Sequence, residues 1–523
     1  MKDKGIVINV AGAGLSGMSA SIELAKKGLH VRLISLQVSE RAQSNLAEGG
    51  INAALDNMGE DDSPLLHYED TLKAGLYLAD PDMVKGMTDA APELVMELTK
   101  MGMPFHRQDG RIVQRAFGGQ RKMRTLYAGS ITGKALTQTL INETRKYEAM
   151  GLIKRYSNHK VLKPVIRDNK ILGLQVRDIY TDDEFILTGP VIVCTGGMNG
   201  FFPGLTTGTT ANTGSFDAAL FASGVEFSNL EFIQYHPTTV SGPGKRLLVT
   251  EAARGEGGRL FCYVNQDKHY FMEEKFGDKG NLMPRDVISK TISLLGEQAY
   301  LDMTHLPAEK WDYKLSELRE EIMHYLNIDI AQEPVCVSPG IHFFMGGIRV
   351  DRYHRASKKY LYAAGECACA YHGANRLGGN SLLGAVYGGR IAADTLADDI
   401  TKINEVDFKA QMTPSSYKEI SADEAGANEK ISEILINSMR ILRNEEILSD
   451  GLKSLSDICP NEKVPESELS ERVLFAKAVI KSALERKESR GAHVRTDYPD
   501  MEEGFGKPSV AAIKDKDVDI SFQ

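Results

Sequence analysis

Cysteine is scarce in this chain: six among 523 residues, at Cys194, Cys262, Cys336, Cys367, Cys369 and Cys459. Disulfide frameworks belong to short, cysteine-dense secreted chains, so free thiols are expected here. Cys367 and Cys369 have no second pair at zinc or iron–sulfur spacing, and no CxxCH string occurs, so the chain is predicted to hold no metal of its own. No stretch approaches the roughly 20 consecutive apolar residues of a membrane-spanning helix. Positive charge is not in excess either. With 62 Lys+Arg against 71 Asp+Glu the net charge is −9, which argues against a general nucleic-acid binder. The opening MKDKGIVINVAGAGLSG runs directly into a strand and a glycine turn, so no cleavable signal peptide is expected. Low-complexity segments and internal repeats are lacking.

Glycine is plentiful, with 49 residues concentrated around 11–17, 49–50, 196–214, 255–258, 346–347 and 373–389. Glycine gathers where backbone must approach a ligand or adopt positive φ, and clusters along the whole chain suggest one extended ligand touched by many segments. Residues 5–10 (GIVINV) read as a buried parallel strand. Gly12-Ala13-Gly14-Leu15-Ser16-Gly17 follows, then a helical pattern to Gly28 and a second strand at 30–35. That order confirms a dinucleotide fingerprint, in which a pyrophosphate sits on the helix N-terminus. The acidic residue expected at the end of the second strand is absent. Ser35 stands there, which weakens a simple NAD reading and leaves FAD or another mode open.

Farther along, 90–101 and 130–149 read as helices and 160–195 as successive strands, the last (PVIVCTGG) ending in Gly196-Gly197. YLYAAGE at 360–366 repeats the strand-into-glycine pattern, and GANRLGGNSLL leads into a long helix. From about 403 the pattern is helical and rich in Lys, Glu and Leu. Six strings place polar or cationic residues in glycine-rich or apolar settings: QYHP at 234–237, TEAARGEGG at 250–258, PRD at 284–286, HFFMGG at 342–347, Glu366, and NRLGGN at 375–380. Each has a bland alternative alone, such as a surface ion pair or a charged turn.

Together with AEGGINAAL at 47–55, HYEDTLKAGLYLAD at 67–80, RAFGGQ at 115–120 and ESRGAHVRTDYP at 488–499, these strings resemble the flavoprotein subunit of succinate dehydrogenase and fumarate reductase. The resemblance spans nearly the whole chain and extends to L-aspartate oxidase and the soluble fumarate reductases. It implies FAD as cofactor and a dicarboxylate substrate, fumarate or succinate. Hydride would pass from flavin N5 and a proton from Arg285, or the reverse. Glu251 and Arg254 of the TExxR motif would relay protons to Arg285. His236, Thr250, His342 and Arg376 would hold the two carboxylates, with Phe117 and Gly50 lining the same pocket. On the cofactor, the resemblance assigns Gly12, Gly14, Gly17, Ser35, Gln43 and Ser44, then Ala47, Gly49, Gly50, Gly196 and Asp217. Glu366 would bind ribose, and Ser381 and Leu382 would bring a helix N-terminus to the isoalloxazine. Arginine is an unusual acid, with a pKa above about 12, and needs a strongly basic acceptor and a relay that restores its proton.

The sequence departs from the family pattern at Gln43, which stands where many membrane-bound members carry the histidine that bonds FAD covalently. Glutamine cannot form that linkage, so FAD is expected to be non-covalent and the chemistry to lean toward reduction. L-aspartate oxidase and a reductase of another unsaturated carboxylate are the alternatives. A flavin-binding scaffold without turnover stands further off. Electrons would come from an iron–sulfur subunit or a small carrier. The expected location is the cytoplasm, peripheral to the membrane through such a partner. The expected architecture is α/β: a Rossmann-like FAD-binding domain (1–228 and 341–402), an inserted α+β capping domain (229–340) and a C-terminal helical domain (403–523).

Overall fold

A computed structural model describes residues 5–242, 244–313, 315–403, 406–409, 412–459 and 467–523. The start of the chain and short parts of the expected helical region (404–405, 410–411 and 460–466) lie outside the described residues. At the centre is a parallel five-stranded sheet in the order Leu361–Ala363, Val191–Val193, Ile8–Ala11, Val31–Ser35, Ile153–Ser157. Its strands are short and β-branched, and Ile8, Val10, Val191, Ile192 and Val193 are wholly buried, as a sheet covered on both faces requires. The Leu15–Lys26 and Asn380–Asp399 helices pack together over one face. Both helices start at the C-terminal ends of central strands, where an open α/β sheet holds its ligand. A three-stranded antiparallel meander (His159–Arg167, Lys170–Asp178, Glu184–Thr188) is inserted before the fourth strand of the sheet in chain order.

The capping unit is built on a six-stranded antiparallel sheet. Strands Ile233–Ser241 and Val335–Phe344 pair at its middle and connect it to the central domain. The boundary expected at 340/341 therefore falls inside a strand. The pair is irregular, with register shifts between Gln234 and Tyr235 and between His236 and Thr239. Such bulges re-aim side chains, and these occur where His236 and His342 face the cleft. A separate apolar core holds this unit together, from Leu260, Ile288 and Leu301 to Trp311 and Val335.

The C-terminal region is helical over Ala425–Ser438, Glu445–Ser456 and Glu468–Glu485, then departs from the expected all-helical domain. Ser509–Lys514 and Asp517–Phe522 form a hairpin that extends a sheet with Phe227–Ser228 and Gly347–Arg349. The helices join the central core through Phe475, whose ring meets Phe201, Phe221 and Phe227. The ESRGAHVRTDYP string is scaffolding. Arg495 donates to the carbonyls of Ala483 and Leu484 at the end of the last helix (3.0 and 2.9 Å), and Arg486 pairs with Glu231 and Glu488, all three fully buried. Among the described residues no helix is long and apolar enough to cross a membrane.

Candidate active site

One cleft of about 280 Å³ runs from the first glycine turn to the seam between the central and capping units. Every residue selected from the sequence lines it except Gly17 and Arg254. Gly17 lies beneath, where a Cβ would stand 1.8 Å from the Gly12 carbonyl oxygen, so its role is close packing of helix on turn. Gly12 has φ +114°, and a Cβ there would meet the Cys194 carbonyl oxygen at 2.1 Å. Any side chain at Gly12 closes the turn that carries the backbone past the ligand.

The polar groups along this arm fit a dinucleotide. The Leu15–Lys26 helix has no acidic residue in its first turn and no side-chain cap, so its N-terminal N–H groups and dipole are open to an anion. The Ser35 hydroxyl is buried with no protein partner, as expected of a group waiting for a ligand hydroxyl. Burial pushes the Asp217 carboxyl up to about 8, with Glu366 adding to it, and burial pushes Glu366 up to about 7. Glu366 accepts from the Phe344 N–H at 3.2 Å, and Asp217 lies 3.5 Å from the Thr195 hydroxyl. Ser381 and Leu382 occupy the first turn of the Asn380–Asp399 helix, which also lacks acidic residues there. It starts from Gly379 at φ +82°, where a Cβ would strike the Asn52 amide at 2.1 Å. The Gln43 carboxamide accepts from the Thr209 N–H at 2.6 Å, tying the two sides of the cleft across the place of the missing histidine.

At the other end, the capping unit presents Arg285 at the start of the Arg285–Leu294 helix and Glu251 at the start of Glu251–Gly255. Arg285 donates to one Glu251 oxygen through Nε (2.9 Å) and Nη2 (2.7 Å), while the other oxygen accepts from the Gly118 N–H at 3.0 Å. Burial alone would raise the Glu251 carboxyl, but the Arg285 and Arg254 guanidinium groups overcome it and hold it at about 2. Arg254 is not hydrogen-bonded to Glu251. It donates to the Asn281 carbonyl at 2.8 Å, its Nε and Nη2 are buried without partners, and burial lowers it to about 10. Its field helps to lower Glu251.

Facing Arg285 across the seam, Arg376 stacks 4.5 Å from the Phe343 ring centroid, its Nε buried and without a partner. Burial, then the repulsion of Arg285, lowers Arg376 to about 9. His236 and His342 stand edge to face, 5.4 Å between ring centroids. Burial and the nearby Arg285 keep both well below the usual histidine range, hence neutral. His342 Nδ1 is hydrogen-bonded to the Thr207 hydroxyl at 2.9 Å, and His236 Nε2 is buried without a partner. Thr250 reaches across the seam to the Glu48 carboxyl, which burial and then Glu321 and Glu317 push up to about 8. Phe117 covers Gly49, its ring within 3.0 Å of the place a Cβ would take.

Gln234 was passed over as a site residue. Its side-chain oxygen accepts from both Arg285 Nη1 (3.2 Å) and Arg376 Nη2 (3.0 Å). The signal was present, because Gln234 precedes His236 by two on one strand and shares its face. Glu48, two residues before Gly50, was likewise missed.

A model for an FAD binding domain matches residues 8–382, and one for the fumarate reductase flavoprotein C-terminus matches residues 456–523. The chain is 33% identical to a succinate dehydrogenase flavoprotein subunit of Bacillus subtilis, over 94% of this chain and 91% of that protein. It is 32% identical to a fumarate reductase flavoprotein subunit of Mycobacterium tuberculosis, over 95% of this chain and 92% of that protein. Its fold superposes on E. coli quinol fumarate reductase FrdA with a TM-score of 0.88 at 26% identity, covering 99% of this chain and 96% of that one.

Proposed function

Because the chain belongs to the succinate dehydrogenase/fumarate reductase flavoprotein family of FAD-dependent oxidoreductases, we propose that it reduces fumarate to succinate at the seam between its central and capping units, or runs the reverse oxidation. The observation that carries this reading is the charge of the pocket. Arg285 and Arg376 line it, Arg254 adds its field from behind, and the Glu251 carboxylate among them is ionised far below neutral pH. The cationic side chains are the complement of a small dianion, and both histidines are neutral. A dicarboxylate entering such a site exchanges water for charge-assisted hydrogen bonds, offsetting its desolvation.

FAD, when bound, supplies the hydride. The protein's part is to hold and protonate. Arg376, His342, Thr250 and the unpartnered His236 Nε2 hold the two carboxylates between them. Two-ended binding fixes the alkene carbons against the nucleotide arm and excludes water from the pocket. Arg285, its fork held by Glu251 and Gln234, delivers a proton to the carbon beside a carboxylate and takes its replacement through Glu251, the carboxylate bonded to it. Glu251 keeps Arg285 aimed, and the fields of Arg285 and Arg254 keep Glu251 ionised. Positive charge around the carboxylates stabilises the negative charge that builds on the substrate as it is reduced.

L-aspartate fits less well. Its ammonium group needs an acceptor, and the ionised carboxylate of the pocket, Glu251, is already taken by Arg285 and Gly118. Gln43 is a reason to expect FAD held without a covalent bond and turnover favouring reduction. The subunit names of the relatives support electron delivery by a partner subunit or small carrier, with any membrane association through that partner. The deciding assay is anaerobic: purified FAD-loaded protein, a reduced viologen dye and fumarate. Dye oxidation matched by succinate formation is expected. FAD-bound protein that turns over neither fumarate nor succinate, or that makes peroxide from L-aspartate, would overturn the reading.

A further inference from the structure

The two arginines that face each other across the seam are like charges in a buried site, and burial and mutual repulsion both act against Arg376. The Gln234 carbonyl oxygen accepts one N–H from each (3.2 Å from Arg285, 3.0 Å from Arg376). The orientation of that amide is dictated from its far side. Gln234 Nε2 donates to Asn375 Oδ1 (2.8 Å) and to the Arg376 carbonyl (2.9 Å). Asn375 Nδ2 in turn donates to Asp286 Oδ1 at 2.9 Å. The chain therefore has a direction. An acidic acceptor, Asp286, terminates one end and two guanidinium donors the other, and rotating either amide would break contacts on both of its sides.

We propose that Asp286, Asn375 and Gln234 form a positioning relay across the domain seam that sets the separation and aim of Arg285 and Arg376 for a two-ended dicarboxylate. Asp286 and Arg285 are adjacent on one capping-unit helix, Asn375 and Arg376 are adjacent in the central unit, and Gln234 lies on the strand joining them. Each linked partner is thus the chain neighbour of an arginine. A shift between the two units would pull on both ends of the relay, so the arginines reach their working spacing together when the seam is closed. None of the three need touch substrate.

This inference rests on the dicarboxylate reading above, and its test separates the two. The experiment measures binding of malonate, a dicarboxylate that cannot be reduced, by its perturbation of the flavin spectrum, together with dye-coupled fumarate reduction. If the wild type neither binds malonate nor reduces fumarate, the functional reading fails and takes the relay with it. Given a competent wild type, Gln234→Met should weaken malonate at least tenfold and lower kcat/KM by a larger factor, because ground-state binding and aim both suffer. Gln234→Glu keeps an acceptor for both arginines but adds a negative charge between them. Its second oxygen also meets the Asn375 and Arg376 carbonyl oxygens where an N–H had donated, so it should lose malonate more severely than Gln234→Met, with KM raised more than kcat is lowered. A merely structural amide would not give that split between KM and kcat. Asn375→Ser, farther from the arginines, should give a smaller loss in the same direction with FAD retained, and it guards against a misfolded Gln234 variant. Malonate affinity within twofold of wild type in both Gln234→Met and Asn375→Ser would overturn the relay.

Discussion

Replacing Arg285 with lysine keeps the positive charge and removes the shape. Arg285 makes three hydrogen bonds from a rigid fork, two to Glu251 at 2.9 and 2.7 Å and one to Gln234 at 3.2 Å. A lysine ammonium is a point charge on a flexible stem. It will settle on Glu251, the strongest acceptor within reach, and abandon the face turned to substrate. Hydrogen bonds to charged groups contribute about 1.5–3 kcal/mol each, so losing one or two costs a few kcal/mol of alignment. Positioned proton transfer is worth about 10²–10⁴ in rate, and an ångström of misplacement about 10². Arg285→Lys is therefore expected to lower kcat for fumarate reduction at least a hundredfold, about 3 kcal/mol of barrier. FAD stoichiometry should be unchanged, since the nucleotide arm lies away from Arg285. The assay is anaerobic dye oxidation on protein whose flavin content is measured in the same cuvette. A kcat within tenfold of wild type would remove Arg285 as the proton donor.

Three further outcomes follow from the geometry. Acid precipitation should release all yellow flavin into the supernatant, because Gln43 offers no atom for a covalent bond; flavin that stays with the pellet would contradict this. Gly12→Ala should abolish FAD binding, since its Cβ would stand 2.1 Å from the Cys194 carbonyl oxygen at φ +114°; stoichiometric FAD in that variant would refute the tight-turn argument. The third concerns Glu366, raised by burial from 4.5 to about 7. A carboxyl raised in the folded state holds its proton longer than in the unfolded chain, so the protein loses stability as pH rises from about 4.5 through 7. In flavin-stripped protein, Glu366→Gln should gain about 3 kcal/mol on wild type across that window. Taking the difference cancels the buried histidines, whose lowered values act in the opposite direction below pH 6.5. A difference independent of pH in urea melts would contradict the buried-acid assignment.

Much of the central unit was legible because its signals are local. The glycine turn, the β-branched runs and the helical periodicity between them occupy adjacent residues, and the structure places Ile8–Ala11, Leu15–Lys26 and Val31–Ser35 in those spans. The terminal hairpin was not legible. Its two-residue turn, Asp515-Lys516, takes positive φ at both positions (50° and 68°) without the glycine or asparagine that usually marks such a turn. It lies in a region read as helical from its Lys, Glu and Leu. In the site, charged motif residues stood out singly, but Gln234 acquires its role only by meeting residues 51 and 142 positions away, which no local pattern encodes. Arg254 was marked by its motif. The motif suggested a proton relay, whereas its hydrogen bond goes to the Asn281 carbonyl.

The most direct measurement is a crystal structure of the FAD-loaded protein with malonate bound. The account predicts both carboxylates held among Arg376, His236, His342 and Thr250, and the Arg285 fork turned to the ligand between them, facing the flavin ring. A dicarboxylate seated elsewhere, with Arg285 and Arg376 apart and directed into solvent, would contradict it.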